Sequence, residues 1–525
     1  MQRLEQIKRL RRVCLRQMPL GRTFVEAKLQ ELKTHLIEIN DLDSASALLN
    51  WDQSTYMPPG GAAARGRQLA TLARLSHEKF TDPAVGKLLD NLRPYEEGLP
   101  YDSDDASLIR VTRREYERAI KVPPAFVAQL YGHMAASYAA WAKARPASDF
   151  RAVQPYLEKT LDLSRQMADF FPGYEHIADP LIDYADYGIK AFTLRALFAD
   201  LRAQLAPIVQ AITSQPMADD ACLHATFSEP QQLAFGLEVV KCFGYDLERG
   251  RLDKTPHPFT TEFSIGDVRI TTRVKENDLS ESLFSILHEA GHALYEQGIR
   301  MELEGTPLAG GTSAGVHESQ SRLWENLVGR SLGFCKFFYP KLQAVFPDQL
   351  GPVSLDTFYR AINKVSRSLL RTDADEVTYN LHVIIRFGLE LDLLEGKVEV
   401  RDLAQVWRER YTTDLGITPP DDRDGVLQDV HWYNGPIGGS FQGYTLGNVL
   451  NAQFYEAALR AHPEIPAQIE HGEFGTLHGW LKENLYQHGS KFTASELVER
   501  VTGGPMRIEP YIRYLRTKYS QLYNL

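Results

Sequence analysis

Two histidines four residues apart, with a glutamate directly after the first, constrain this chain more than any other feature. They occur in Ser282-Leu-Phe-Ser-Ile-Leu-His288-Glu289-Ala-Gly-His292-Ala-Leu-Tyr-Glu-Gln-Gly298. Residues i and i+4 share a face only on an α-helix, so the pattern asks for one here. The flanks supply it. Asp278 and Ser280 offer N-cap oxygens, Asp278 with Glu281 has the spacing of a capping box, and Gly298 suits a C-terminal stop. At about 100° per residue, Leu279, Leu283, Ile286, Leu287, Ala290 and Leu294 fall within about 60° of one direction. His288 and His292 lie on the opposite side. One face is predicted to pack into a core, and the other to present two imidazoles.

Such a pair points to metal chemistry. Two neutral imidazoles and one further protein ligand leave a position for water on a tetrahedral zinc ion. The metal lowers the water's pKa towards about 7 and polarises a carbonyl, and Glu289 is placed to take the water's proton. The longer HExxHxxGxxH pattern is excluded, because Tyr295 and Gly298 stand where it needs Gly and His, and an acidic or imidazole ligand from a later helix is the alternative. A second helix is predicted over Val316 to Asn326. In it Glu318, Arg322 and Glu325 share one face, opposite Val316, Leu323 and Leu327. Spacing leaves Glu318, His317 and Glu325 as candidates. Arg322, one turn after Glu318, is either its orienting partner or half of a solvated ion pair.

The remaining sequence excludes several classes of function. Across 525 residues, 58 Lys and Arg face 68 Asp and Glu, a net charge of −10. That balance argues against nucleic acid or an anionic membrane as the main partner. No apolar run is long enough for a membrane span. Cys14, Cys222, Cys242 and Cys335 are few and far apart, with no CxxC pair. They fit a reducing, cytoplasmic setting and are expected to be buried small hydrophobes. Residues 1–22 hold Arg3, Lys8, Arg9, Arg11, Arg12, Arg16 and Arg22 against a single acid, Glu5. We assign 1–25 as a basic extension, either frayed or transit-like.

Apolar residues at three- and four-residue spacing predict helices near 26–50, 62–77, 105–120, 123–145, 151–170 and 190–214. The pattern resumes at 279–297, 315–347, 354–393, 400–411, 445–461, 473–486 and 507–521. Met57-Pro58-Pro59-Gly60-Gly61, Val122-Pro123-Pro124 and Phe171-Pro172-Gly173 punctuate it. One stretch differs. Thr261 to Val274 is rich in β-branched and aromatic residues, with Gly266-Asp267 as a turn, and predicts a hairpin just before the metal helix. Its edge is either a docking line for an extended peptide backbone or purely structural. The expected architecture is mostly α: one large helical body over 26–525, with N-terminal helices forming a lid or wall over a cleft.

A run of further motifs resembles the carboxypeptidase Taq family of metallocarboxypeptidases from about residue 40 to the end. They are Trp51-Asp52-Gln53 with Met57-Pro58-Pro59-Gly60, His257-Pro258-Phe259, Asp267-Val-Arg269-Ile-Thr271 and the metal helix itself. His317-Glu318-Ser319-Gln320-Ser321-Arg322, Leu370-Arg371-Thr-Asp-Ala374-Asp375 and Gly425-Val-Leu-Gln428-Asp429-Val-His431-Trp432 follow in order. Leu370 replaces the family's Ile. The resemblance implies an α-helical fold with a deep cleft, usually a homodimer. It implies a zinc-dependent carboxypeptidase, with Co2+ or Mn2+ as substitutes, that removes single residues from peptide C-termini with broad preference. It makes Glu318 the third ligand and gives Arg371 the substrate's terminal carboxylate, a task suited to a guanidinium fork. His257, Arg269 and His431 become residues lining the substrate. His382, in a strongly apolar helix, reads as structural.

The chain departs from the family at one stretch. Where the family has GYFPxYxLG, this chain has Ile437-Gly438-Gly439-Ser440-Phe441-Gln442-Gly443-Tyr444-Thr445-Leu446-Gly447. Tyr444 matches the second tyrosine, Ser440 stands near the first, and the spacing is one residue longer. Tyr444 is therefore the tyrosine expected to serve the substrate. Two other readings stand beside the carboxypeptidase. A helical zinc oligoendopeptidase would not need Arg371, and a non-catalytic zinc module would not need Glu289.

Overall fold

The computed structural model of the protein describes residues 20–525. The basic segment 1–19, and Cys14 with it, lies outside the described residues. Residues 20–25, expected to belong to the extension, are the start of a helix, Leu20–Thr55. Among the described residues regular structure is almost wholly helical, with three short strands. Among the described residues no helix is long and apolar enough to cross a membrane.

By contacts the described residues group into two compact units: those up to Ile120 with Glu302–Ala309, and Lys121–Met301 with Gly310–Leu525. In the first, Leu20–Thr55 runs beside Ala62–Phe80 and Pro83–Glu97. Leu29, Leu32, Leu36 and Ile39 are buried at helical spacing, as are Leu88, Leu89 and Leu92. Pro83–Glu97 was not foreseen. It starts on a proline at its first turn, with Asp82 accepting from the Ala84 amide at 2.8 Å.

The second unit has one contiguous core reaching from Ala144 to Tyr523. Its long predicted helices break at specific places. The segment expected as one helix over 354–393 is two, Leu355–Ile362 and Tyr379–Leu394. Between them the Asp375 carboxylate accepts from the amides of Ser366, Val377 and Thr378 at 2.9–3.0 Å. These bonds replace the helical ladder locally. Arg371 therefore sits in a single 3-10 turn, Arg371–Asp373, and not on an α-helix. The segment 315–347 divides into Ala314–Arg322, a π-helical turn Leu323–Val328, and Leu332–Val345, which Ser331 caps afresh. Helices Glu229–Phe243 and Ala494–Thr502 are additional to the sequence reading.

The hairpin is present as β2 (Thr260–Ser264) and β3 (Asp267–Thr272), antiparallel, with Thr260 opposite Ile270. Its turn is Ile265-Gly266, one residue earlier than predicted. A third strand, β1 (Leu252–Lys254), pairs parallel to β3 and leaves β2 at the edge. The cysteine expectation holds for Cys335, which is buried. Cys222 is half-buried, and Cys242 is exposed on the helix Glu229–Phe243, contrary to the expectation. None of these three is in a disulfide.

Candidate metal centre

The predicted metal helix spans Leu279–Gly298. Asp278 caps it by accepting from the Ser280 amide at 3.0 Å. The capping box does not form, because Glu281 pairs with Lys275 at 3.0 Å and with Arg273. Gly298 is the helix's last residue but forms no left-handed cap; glycine is needed there because a side chain would meet the Tyr486 ring at 2.6 Å. The face with Leu279, Leu283, Ile286, Leu287, Ala290 and Leu294 is buried, as its pattern required. Each large aliphatic side chain buried there contributes about 1.5–3 kcal/mol to seating the helix.

The helix Ala314–Arg322 crosses it at a glycine. A methyl group at Gly291 would sit 2.5 Å from the Gln320 carbonyl oxygen and 2.6 Å from the Ser321 Cα. The small residue inside the HExxH motif thus brings a second backbone against the first. On its other side Ala314–Arg322 packs along Gln442–Ala461, where a methyl group at Gly447 would meet the Glu318 Cβ at 2.7 Å. We expect Gly291→Ala to separate the two helices, destabilise the fold by about 1–3 kcal/mol as overpacking does, and weaken metal retention. Thermal melting and metal analysis after dialysis check this.

These crossings bring His288, His292 and Glu318 together. One donor atom from each lies within 4.8 Å of the others. Glu318 Oε2 is 3.7 Å from His288 Nε2 and 3.5 Å from His292 Nε2. The remote nitrogens are held elsewhere. His288 Nδ1 donates to Glu325 Oε2 at 2.9 Å. His292 Nδ1–H donates to His317 Nδ1 at 2.5 Å, and His317 Nε2–H to Glu296 Oε1 at 2.6 Å. Outer contacts of this kind fix each ring with Nε2 towards the centre. Two imidazole nitrogens and a carboxylate suit a divalent metal. His317 and Glu325, left open as alternatives to Glu318, lie against the Nδ1 atoms instead.

Charge supports the same arrangement. Arg322 Nε donates to Glu318 Oε1 at 2.8 Å, with Glu318 buried and Arg322 largely so. Burial opposes the Glu318 charge, but Arg322 and the histidines outweigh it and hold its pKa well below the carboxylate range. Burial, then the neighbouring His317, push the His292 pKa down to about 3, so its ring is neutral and its lone pair free to bind metal. Burial likewise opposes the Glu325 charge, yet Arg322 and His288 bring its pKa to about 2. Glu289 differs: burial raises its pKa above the usual value, which suits a group that must accept a proton.

A second cluster adjoins this one. Arg371 donates from Nε to Asp429 Oδ2 at 2.9 Å, from Nη2 to Asp429 Oδ1 at 3.3 Å, and from Nη1 to the Tyr379 hydroxyl at 3.0 Å. Asp375, one turn after Arg371, is occupied by backbone amides instead. Asp429 also accepts from Arg386 Nε at 2.6 Å and bonds His431 Nδ1 at 2.5 Å. His431 Nε2 meets the Tyr444 hydroxyl at 3.1 Å. The Arg371 guanidinium lies 5.0 Å from the Tyr444 ring centre, and Arg322 lies 4.4 Å from that of Tyr379. Tyr379 therefore joins the arginine beside Glu318 to Arg371. His257 belongs here too. Desolvation, then the charges of Arg273, Arg371 and His431, lower its pKa.

Other expected residues lie differently. Arg269 pairs bidentately with Asp267 inside the hairpin, at 2.8 and 2.7 Å. Ser440 Oγ bonds the Pro436 carbonyl at 3.3 Å, while the following Phe441 ring lies 4.7 Å from His431. His382 is fully buried and bonded to the Tyr411 hydroxyl, as a structural histidine should be. Sequence reasoning gave no role to Asp429, Arg386, Tyr379 or Thr260. Asp429 and His431 stood two apart in a quoted motif, and Thr260 directly followed another. Arg386 and Tyr379 carried no local signal.

Comparison with known proteins agrees with this geometry. The sequence profile of the family described as Carboxypeptidase Taq (M32) metallopeptidase matches residues 31–519. Thermostable carboxypeptidase 1 of Thermus thermophilus is 42% identical over 512 residues, covering 95% of this chain and 99% of that protein. Carboxypeptidase 1 of Bacillus subtilis is 36% identical over 491 residues, covering 93% and 97%. The crystal structure of the M32 carboxypeptidase from Deinococcus radiodurans R1 superposes with a TM-score of 0.92 at 51% identity, covering 95% of this chain and all of that one.

Proposed function

Because the chain belongs to the carboxypeptidase Taq (M32) metallopeptidase family and is a metal-dependent carboxypeptidase, we propose that His288, His292 and Glu318 hold zinc, that Glu289 is its general base, and that Arg371 reads the substrate's free C-terminus. The observation that carries this reading is the convergence of two Nε2 atoms and a buried carboxylate, with Glu289 on the same helix. Co2+ and Mn2+ suit the same donors as substitutes. When bound, the metal polarises the scissile carbonyl and acidifies a water molecule.

The protein's own groups do the rest. Glu289 takes a proton from the attacking water at a carboxylate oxygen and passes it to the leaving amine. Arg322 keeps Glu318 ionised, while Glu325 and His317 keep the imidazoles turned inward. Three of the five N–H groups of Arg371 are used by Asp429 and Tyr379. One remains on each terminal nitrogen, enough to bind a carboxylate end-on. Tyr444 and His431 supply further polar contacts at that end, and His257 lies beside them. Arg269 braces the hairpin through Asp267. The family likeness supports broad C-terminal preference, a catalytic body over 26–525 and a homodimer. Cysteine usage supports the cytoplasm.

The test uses mixed-sequence peptides and mass spectrometry. A ladder losing one C-terminal residue at a time, absent after chelation and suppressed by C-terminal amidation, is the expected result. Internal fragments indifferent to amidation would contradict it. Arg371→Met is expected to lower kcat/KM on free-C-terminus peptides by about 100-fold or more, since losing a buried charged contact costs about 2–5 kcal/mol. It should also erase the preference over amidated peptides. Arg371→Lys, which keeps the charge without the fork, should recover only part of the rate.

A further inference from the structure

Glu289 lies beside the edge strand β2. The first residue of that strand, Thr260, places its single hydroxyl proton between two acceptor oxygens of the glutamate. Thr260 Oγ1 lies 2.7 Å from Glu289 Oε2 and 2.8 Å from the Glu289 backbone carbonyl. We infer that Thr260 is a positioning residue for the general base: its hydroxyl fastens Oε2, fixes the carboxylate rotamer and leaves Oε1 as the oxygen that takes the proton. Among the described residues no other side chain hydrogen-bonds this carboxylate. Glutamate has three side-chain torsions and rotamer freedom of about 1.5–2 kcal/mol to lose, so an unheld base would spend much of its time misdirected.

The strand is itself held at the same point. The Phe259 amide donates to Thr271 Oγ1 at 2.8 Å, and Thr271 Oγ1 donates back to the Phe259 carbonyl at 2.9 Å. The Thr271 amide adds a third bond to that carbonyl at 3.0 Å. On β3 the next residue, Thr272, bonds the Ser285 hydroxyl at 2.6 Å, one turn before His288 on the metal helix. Thr260 is thus bracketed on both sides. Phe259 is tied to β3, and β3 is tied to the metal helix. The hydroxyls of Thr271 and Thr272 set where the Thr260 hydroxyl meets Glu289. The HPF and DxRxT segments acquire a mechanical task that does not require them to touch substrate.

The inference rests on Glu289 as the base, so the experiment measures Glu289→Gln beside the threonine variants. Thr260→Val keeps the shape and removes the hydroxyl, and Thr260→Ser restores it. We expect Thr260→Val to lower kcat about 10- to 100-fold, the range for one charge-assisted hydrogen bond. KM, metal content and melting temperature should stay near wild type, and Thr260→Ser should recover most of kcat. Wild-type kcat in Thr260→Val, or equal impairment in Val and Ser, would overturn the proposal. Should the valine variant not fold, Thr271→Val decides: it leaves Thr260 and Glu289 intact and loosens only the bracket. Lower kcat at unchanged KM there supports the proposal, and unchanged kcat refutes it. If Glu289→Gln is itself fully active, the base assignment fails. If Glu289→Gln is inactive while Thr260→Val is not impaired, only the positioning role fails.

Discussion

Glu318→Ala is expected to abolish metal retention and, with it, peptide hydrolysis. Even outer-shell partners of metal ligands change affinity by about 10- to 100-fold, and Glu318 lies directly against both Nε2 atoms. The same change strips Arg322 of its closest carboxylate. The guanidinium keeps only Glu325 at 3.3 Å and the Tyr379 ring. Breaking a buried pair from one side costs about 3–5 kcal/mol, so the variant should also melt earlier. Glu318→Gln separates the two effects. It keeps the shape and an oxygen donor while losing the charge, and should fold better than the alanine variant while still holding metal poorly. Elemental analysis after dialysis and a thermal melt read both quantities. Full metal content in Glu318→Ala, with loss on Glu325→Ala or His317→Ala instead, would transfer the ligand role to one of those residues.

Glu289→Gln should do the opposite: keep the metal and lose the reaction. The amide has the same shape, and its oxygen can still accept from Thr260, but it cannot take a proton. General acid–base catalysis contributes about 10²- to 10⁴-fold, and kcat should fall by that order with metal content unchanged. Steady-state kinetics on the metal-loaded variant check it. Undiminished turnover would remove Glu289 from the mechanism.

Much of this was legible in the sequence because periodicity encodes it. The apolar stripe from Leu279 to Leu294 predicted which face of the metal helix is buried, and His288 and His292 fell opposite it. The β-branched run from Thr261 predicted the hairpin. What stayed hidden depended on contacts between distant segments. Spacing left His317, Glu318 and Glu325 all as candidates, with only Arg322 one turn on to favour Glu318, since all three lie on one predicted helix. Only the crossing at Gly291 decides which of them meets the Nε2 atoms. Arg371 was read on a helix because its neighbours carry helical spacing. Asp375 breaks that helix by capturing three backbone amides, which periodicity does not register. The partner of Arg371, Asp429, lies 58 residues away. Strand β1 was missed because three residues carry too little pattern, and its parallel pairing comes from a separate loop. Glycine misled in one place: Gly298 resembled a helix stop, whereas the ring of Tyr486 is the reason for it.

Anomalous diffraction from crystals of zinc-loaded protein, collected on either side of the zinc edge, tests the central claim most directly. The account predicts one strong peak per chain, within bonding distance of His288 Nε2, His292 Nε2 and a Glu318 carboxylate oxygen, with Glu289 near but not bonded. A peak held by Glu325 or His317, or by residues outside this group, would contradict it.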